Sequence, residues 1–437
     1  MRTLVSDATN STGKEITVQG WLHKKRVMGG INFISIRDRS GLIQVIVEDK
    51  AQLEKLRGMQ VGTVLEITGI VVEEARALGG VEIHKPEIRI IIPVNQEPPI
   101  EIDKPLSHKP ENLDTLFDHR PIGLRNLREQ TIFKVQALVC QSVRNFFYEN
   151  DFIEIHTPKL LAEATEGGAE VFTLSYFNKT ATLAQSPQFY KQIMVGVFER
   201  VFEIAPVFRA ELSATTRHMS EYTSVDGEMG FITLPDLEDF LNGLLNRVVD
   251  DVWAQYEPEL RRWNATKPLL SKTIPEFAIS EIHELYKKAT KEDFTGEDDL
   301  APAEEKWICE WAKKNKQSEA VFVTGWSAKS KTFKFYHRAN QDNPELADRA
   351  DLLFRGVEIV TLSMREHRYD QVVTQMKDKG YDPADPGFRP LLGAMKYGMP
   401  PHGGFGLGLE RLTQRIIGLN NVKEATLFPR DISRLTP

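Results

Sequence analysis

Residues 208–231 read FRAELSATTRHMSEYTSVDGEMGF and crowd Arg209, Arg217 and His218 together with Glu211, Glu221, Asp226 and Glu228. The apolar run RVFEIAPVF precedes this stretch and the alternating EMGFI closes it, so the outline is strand, polar excursion, strand. A hairpin turn needs about two to five residues, and this excursion is far longer. Either it is a solvated loop or it carries groups to a site. Three further stretches bear on that choice. In GGFGLGLER, glycines 403, 404, 406 and 408 clear a strand so that a flat group can lie on it, or so that a helix can pack closely. Arg411 then enters a helix, where it would suit a phosphate, although no Gly-Lys-Ser/Thr follows to make a P-loop. In ADLLFRGVEI, Asp351 and Glu358 are either a solvated pair or two oxygen donors for a hard cation such as Mg²⁺. In AQSPQFYKQ, Ser186, Gln188 and Lys191 form a compact polar set. Lys191 is a helix-surface residue unless it meets Arg365 of SMREH, in which case two cations would hold a small dianion or a carboxylate side chain.

The elements that must position these groups fall into two regions. From Glu15 to Ile92, β-rich runs (EITVQGWL, NFISIRD, LIQVIVE, VLEITGIVVE, VEIHKPEIRII) alternate with turn signals. Five short strands of this kind suggest a small closed barrel of the OB type over residues 1–95. Residues 96–125 are dense in proline and charge and read as a hinge. Residues 126–437 open with apolar positions at helical spacing, then the extended FIEIHTPKL. Strands follow, then a helical insertion at about 234–320, and strand character returns at AVFVTGW, FKFYH and GVEIVTL. Strands interleaved with long helices and few regular β-α-β units favour an α+β domain on an antiparallel sheet with flanking helices.

Composition narrows the field. The 437 residues are 41% hydrophobic and 27% charged, a soluble multi-domain chain with no apolar run long enough to span a membrane. The N-terminus lacks the apolar core of a signal peptide, and Cys140 and Cys309 have no metal or disulfide spacing, which fits the cytoplasm. The net charge of -7 argues against a generic nucleic-acid binder, yet residues 1–94 carry 13 Lys/Arg against 11 Asp/Glu.

Taken in order, a helix and strand ending at Pro158, FRAE with a long RH-containing loop, and a terminal GxGxER resemble motifs 1, 2 and 3 of the class II aminoacyl-tRNA synthetases. ATEGGAEVF, LAQSPQFYKQ, DLLFRGVEI, PPHGGFGLGLERL and EATLFPRDISRLTP bring the resemblance closer to the aspartyl-tRNA synthetases of the archaeal/eukaryotic type, across nearly the whole chain. The resemblance implies an OB-fold anticodon domain, a class II catalytic domain, ATP, L-aspartate and tRNA(Asp) as substrates, Mg²⁺ as cofactor, and a homodimer through motif 1. It implies that Arg209 holds the α-phosphate and the substrate carboxylate, with Arg217 and His218 approaching ATP and the tRNA end. Tyr222 would stack on adenine, Glu211 read its amino group, and Arg411 beside Gly408 cover the other face and meet the γ-phosphate. Asp351 and Glu358 match the Mg²⁺ carboxylates. Glu166, Ser186, Gln188 and Asp226 would line the aspartate site, and Lys191 and Arg365 grip its β-carboxylate. Phe33, Gln44 and Glu82 match anticodon contacts.

Such chemistry explains why no Ser-His or Cys-His pair is evident. A carboxylate attacking phosphorus is already ionised near pH 7, so positioning and charge neutralisation suffice. The chain departs from the family at VTLSMR, where Leu362 and Ser363 replace small residues and could narrow the aspartate pocket or shift Arg365. His23 and Pro86 match the pattern of relatives that charge both tRNA(Asp) and tRNA(Asn). The competing readings are an asparaginyl-tRNA synthetase and a catalytically impaired RNA-binding paralogue.

Overall fold

The computed structural model describes residues 2–27, 32–103, 112–162, 171–212 and 215–437. They divide into two compact units, Met1–Gln130 and Thr131–Thr436.

In the first unit, β1 (Glu15–Val27), β2 (Asn32–Arg37), β3 (Leu42–Val47), β4 (Val64–Glu73) and β5 (Val81–Ile92) close a barrel in the order β1-β2-β3-β5-β4. Strict alternation does this work: Leu65, Ile67 and Val71 of β4 face inward with Ile34, Ile36, Val45 and Ile83, while the intervening residues face out. The stretch that reads as a hinge is more structured than expected. Ile100 and Ile102 are buried, short helices span Leu113–Asp118 and Arg120–Gly123, and the fully buried Arg120 donates from Nη1 to Glu129 Oε2 at 3.1 Å.

The second unit is built on an eight-stranded sheet. Its strands are β6 (Ile153–Glu154), β10 (Arg200–Phe208), β11 (Glu221–Gly230), β12 (Glu276–Ala278), β13 (Ala320–Thr324), β14 (Arg349–Phe354), β15 (Val357–Arg365) and β16 (His402–Gly408). The order is β12-β13-β14-β15-β16-β11-β10-β6. A separate three-stranded sheet joins β7 (Leu160–Leu161), β9 (Lys179–Leu183) and β8 (Thr173–Tyr176) in that order. The large sheet is antiparallel except at its two edges, where β12 lies parallel to β13 and β6 parallel to β10. Parallel neighbours need a long crossover, and the helices Ile279–Thr290 and Pro302–Lys316 supply it between β12 and β13. The segment expected as a helical insertion at about 234–320 is helical over most of its length and also contributes an edge strand. FKFYH, expected as a strand, makes only an isolated bridge between His337 and Arg365. Phe333, Phe335, Tyr336 and His337 are all buried, and a half-exposed strand cannot bury consecutive residues.

One sheet face packs on helices Leu127–Glu149 and Leu234–Arg262 through Val225, Leu352, Val360, Leu362, Phe405 and Leu407. Behind it Phe147 stacks on Phe202 at 4.4 Å and meets Phe152 edge-on at 4.8 Å. The two-residue period then sends Ser224, Asp226, Glu228, Thr361, Ser363 and Arg365 to the opposite face. Phe147→Ala should lower stability by about 3–5 kcal/mol through loss of that fully buried ring, measured as a shifted denaturant midpoint with circular dichroism.

Candidate functional site

The polar face forms the floor of a cavity of ≈ 270 Å³. Register explains its width. Gly404 lies between Glu228 and Ser363, Gly406 between Asp226 and Thr361, and Gly408 beside Ser224. A Cβ on Gly404 would stand 1.9 Å from Glu228 Oε2, whereas Gly406 and Gly408 line open floor. Without that Cβ, Arg365 reaches across β16 to Glu228, donating from Nε to Oε1 at 2.8 Å and from Nη2 to Oε2 at 3.2 Å.

At this end Ser186, Gln188, Lys191, Asp226 and Arg365 all line the cavity. The two cations are not free, however. Lys191 Nζ donates to Asp226 Oδ1 at 2.9 Å and to the Phe405 carbonyl at 2.8 Å, and lies 3.5 Å from Glu228 Oε2. Ser224 Oγ donates to Asp226 Oδ2 at 2.6 Å. Burial would raise the Glu228 carboxyl, but Arg365 and Lys191 more than offset it and hold it below the usual range. Burial takes His402, beside Glu228, down to about 4, so this ring stays neutral. What remains unused is donor capacity. Arg365 carries five N–H groups, of which the Glu228 and Ser363 bonds take three, leaving two. Gln188 Nε2 is buried without a partner among the described residues. Leu362 is buried in the helix-facing core, so it does not narrow the pocket, and Ser363 Oγ accepts from Arg365 Nη1 at 2.5 Å.

The other end gathers Arg209, Glu211, Arg217, His218, Tyr222, Glu358, Gly408 and Arg411. The Arg209 guanidinium lies 5.6 Å from the Tyr222 ring centre. His218 Nδ1 is 2.6 Å from Thr215 Oγ1, and its Nε2 is 3.7 Å from Glu211. Burial lowers the His218 pKa, and Arg411 and Arg217 lower it further against the opposing pull of Glu211. Arg217 is anchored by Glu305 Oε2 at 2.6 Å and the Gly356 carbonyl at 3.1 Å, and Arg411 Nη1 donates to the Glu358 carbonyl at 2.9 Å.

The expected pair of metal carboxylates divides. Glu358 lines the cavity, accepts from Thr361 Oγ1 at 2.8 Å and lies 3.6 Å from Arg411. Its oxygens suit a hard cation. Asp351 is buried off the cavity wall, and both of its oxygens accept from Arg349 Nη2 at 2.9 and 3.2 Å. A divalent ion on Asp351 would sit against that guanidinium, so Asp351 does not fit as a ligand. Burial nevertheless pushes its carboxyl up to about 7, with Arg349 opposing.

Glu166 lies outside the described residues. In the barrel unit, Phe33 and Gln44 share the outward face of β2 and β3, while Ile34 and Val45 fill the core, so Phe33 is not a core residue. Gln44 Nε2 donates to Glu82 Oε2 at 2.9 Å, and His84 Nε2 lies 2.7 Å from the other Glu82 oxygen. His23 occupies a bulge in β1 and Pro86 a register shift in β5. The sequence reading gave no role to Glu228, Arg349, Lys334, Tyr336 or Glu410, all now at or beside the cavity. Alternation from Asp226 was a usable signal for Glu228. None existed for Lys334 and Tyr336, which sit in the misread FKFYH.

Residues 112–432 match the family of tRNA synthetases class II (D, K and N), and residues 16–91 match the OB-fold nucleic acid binding domain. The chain is 40% identical over 441 residues, the full length of both, to the aspartate–tRNA(Asp/Asn) ligase of Thermus thermophilus. It is 40% identical over 433 residues, 97% of both chains, to the aspartate–tRNA(Asp) ligase of Pyrococcus abyssi. The asparaginyl-tRNA synthetase of Pyrococcus horikoshii, complexed with asparaginyl-adenylate, superposes with a TM-score of 0.90 at 27% identity over all of both chains.

Glu410 provides a pH test of the site's packing. Burial raises its carboxyl to about 7, against hydrogen bonds from the Thr223 amide. The folded state therefore binds this proton more tightly than the unfolded chain. The stabilisation is complete below about 4.5, the unfolded value, and is lost as pH rises through about 7. Between pH 5 and 7.5 the melting temperature of Glu410→Gln should fall less than that of the wild type.

Proposed function

The chain belongs to the class II tRNA synthetases (D, K and N), and we propose that it is a non-discriminating aspartate–tRNA ligase, joining L-aspartate to both tRNA(Asp) and tRNA(Asn). The observation that carries the choice of aspartate is the surplus of buried donors, namely the remaining N–H groups of Arg365 and the orphaned Gln188 Nε2 beside Lys191. Only a group that accepts at both of its atoms satisfies such a set. A carboxylate does so, while an amide would point its own N–H groups at donors, at about 1–3 kcal/mol for each buried group left unpaired.

In the first step an α-carboxylate oxygen of aspartate attacks the α-phosphorus of ATP, and the bond to the bridging oxygen breaks to release pyrophosphate. Arg209 holds the α-phosphate and the attacking carboxylate. Arg217, His218 and Arg411 take the charge of the leaving pyrophosphate. Tyr222 supports the adenine face beneath Arg411, Glu211 accepts from its amino group, and Gly408 leaves room for the nucleotide. A Mg²⁺ ion held by Glu358 would supply further neutralisation of phosphate oxygens. In the second step the 3'-hydroxyl of the terminal ribose attacks the anhydride carbonyl and AMP leaves. Ser186 and Asp226 orient the amino acid, and Glu166 receives its ammonium group. Phe33, Gln44 and Glu82 hold the anticodon, with His23 and Pro86 admitting either third base. A cytoplasmic homodimer formed through the helix before Pro158 completes the reading. No described helix is long and apolar enough to cross a membrane.

ATP–pyrophosphate exchange should run with L-aspartate and not with L-asparagine, and Lys191→Met should abolish it. Exchange driven by asparagine alone would reverse the amino-acid assignment. Transcripts of both tRNAs should be charged. His23→Trp should cut tRNA(Asn) charging about tenfold or more, the worth of one base contact, and spare tRNA(Asp). Failure to charge tRNA(Asn) at high enzyme concentration would remove the broader specificity.

A further inference from the structure

Arg349 and Asp351 stand two residues apart on β14 and so share its cavity-side face, opposite Ser363 and Thr361 of β15. The pairing between them is local to one strand, and Arg349 is fixed at two further points. Arg349 Nη1 donates to Thr332 Oγ1 at 2.8 Å, its guanidinium lies 4.3 Å from the Trp326 ring centre, and Nη2 spans both Asp351 oxygens. The side chains are 10% and 6% exposed, so water does little to screen the pair. Arg349 lines the cavity and Asp351 does not. Arg349 Nε is buried and has no hydrogen-bond partner among the described residues.

We propose that Arg349 is the resident cation of Asp351, so that this carboxylate holds no metal and a divalent ion is taken through Glu358 alone. A guanidinium keeps its proton throughout the working pH range and needs no recruitment from solution. It also repels a second cation from the same carboxylate. Glu358 is different because its nearest cation, Arg411, stands 3.6 Å from one oxygen while Thr361 serves the other, which leaves lone pairs toward the cavity. The inference rests on the proposed reading that the cavity binds ATP, and it alters how that site is neutralised.

The test counts metal rather than activity. Free Mn²⁺ is measured by electron paramagnetic resonance as the full-length protein is titrated, alone and with one equivalent of a non-hydrolysable ATP analogue. Asp351→Asn should leave Mn²⁺ affinity within about twofold, and Glu358→Gln should weaken it about tenfold or more. Arg349→Ala should expose an additional Mn²⁺ site that Asp351→Asn, placed in the same chain, removes. Arg349→Lys, which keeps a cation beside Asp351, should bind as the wild type does. Equal losses in Asp351→Asn and Glu358→Gln would overturn the proposal, as would an Arg349→Ala protein, folded by circular dichroism, with no added site. Because no amino acid or tRNA enters this measurement, its failure is separable from failure of the aspartate assignment, which the exchange assay reads.

Discussion

The fork between Arg365 and Glu228 spans the central strand of the catalytic sheet, and the geometry of the cavity follows from it. Glu228 is fully buried and Arg365 nearly so. Taking such charges from water costs several kcal/mol per ion, and an apolar pair of equal volume is often no less stable. The pair therefore makes little sense as a stability device. It does make sense as a means of holding a charged fork in one orientation, because Glu228 fixes one edge of the guanidinium and leaves the other for a ligand. Lys191 is tied in the same manner by Asp226 and the Phe405 carbonyl. Two cations and two carboxylates alternate, so this end of the pocket is close to neutral while its outward groups are donors. A pocket of bare cations would repel itself; this one stores the same recognition without that repulsion.

The fork needs β11 and β15 within side-chain reach across β16, and that requirement accounts for the glycine strand. Gly404 is excluded from bearing a side chain by Glu228 itself. Gly406 and Gly408 meet no such obstacle and instead leave floor on which a ligand can lie. The weak signal of a glycine-rich strand thus had two causes within seven residues, packing and access. Behind the sheet, the stacked rings around Phe147 make the floor rigid, and precision in a site comes from such support. On the other side, helix Pro302–Lys316 anchors the charged loop, since Glu305 holds Arg217. A segment that looks like filler in the sequence is therefore part of the site's scaffold.

Much of this was legible in the residues. The barrel followed from two-residue alternation, and the cavity set from Ser186 to Arg411 followed from motif order, because strand periodicity carries each functional side chain to one face. Other parts were not. FKFYH has strand composition, but Phe333 packs in one cluster and Phe335 and Tyr336 in another, and local pattern cannot report a segment buried on every side. Asp351 and Glu358 look equivalent in sequence. Their difference lies in a neighbour two residues back, whose charge matters only once burial removes solvent screening.

The substitutions at Leu362 and Ser363 show how register decides the meaning of a departure from a family pattern. Read along the sequence, two bulkier side chains before Arg365 threaten the pocket. In the sheet they face opposite ways. Leu362 joins Val360 and Phe405 in the helix-facing core, where added apolar volume strengthens the floor. Ser363 faces the cavity beside Gly404, and its hydroxyl accepts a hydrogen bond from Arg365. A glycine there would leave that Arg365 N–H without its acceptor. With Glu228 on one edge and Ser363 on Nη1, the guanidinium is restrained from two strands, which makes its remaining donors more sharply directed. The departure therefore tightens the hold on the Arg365 guanidinium instead of loosening it.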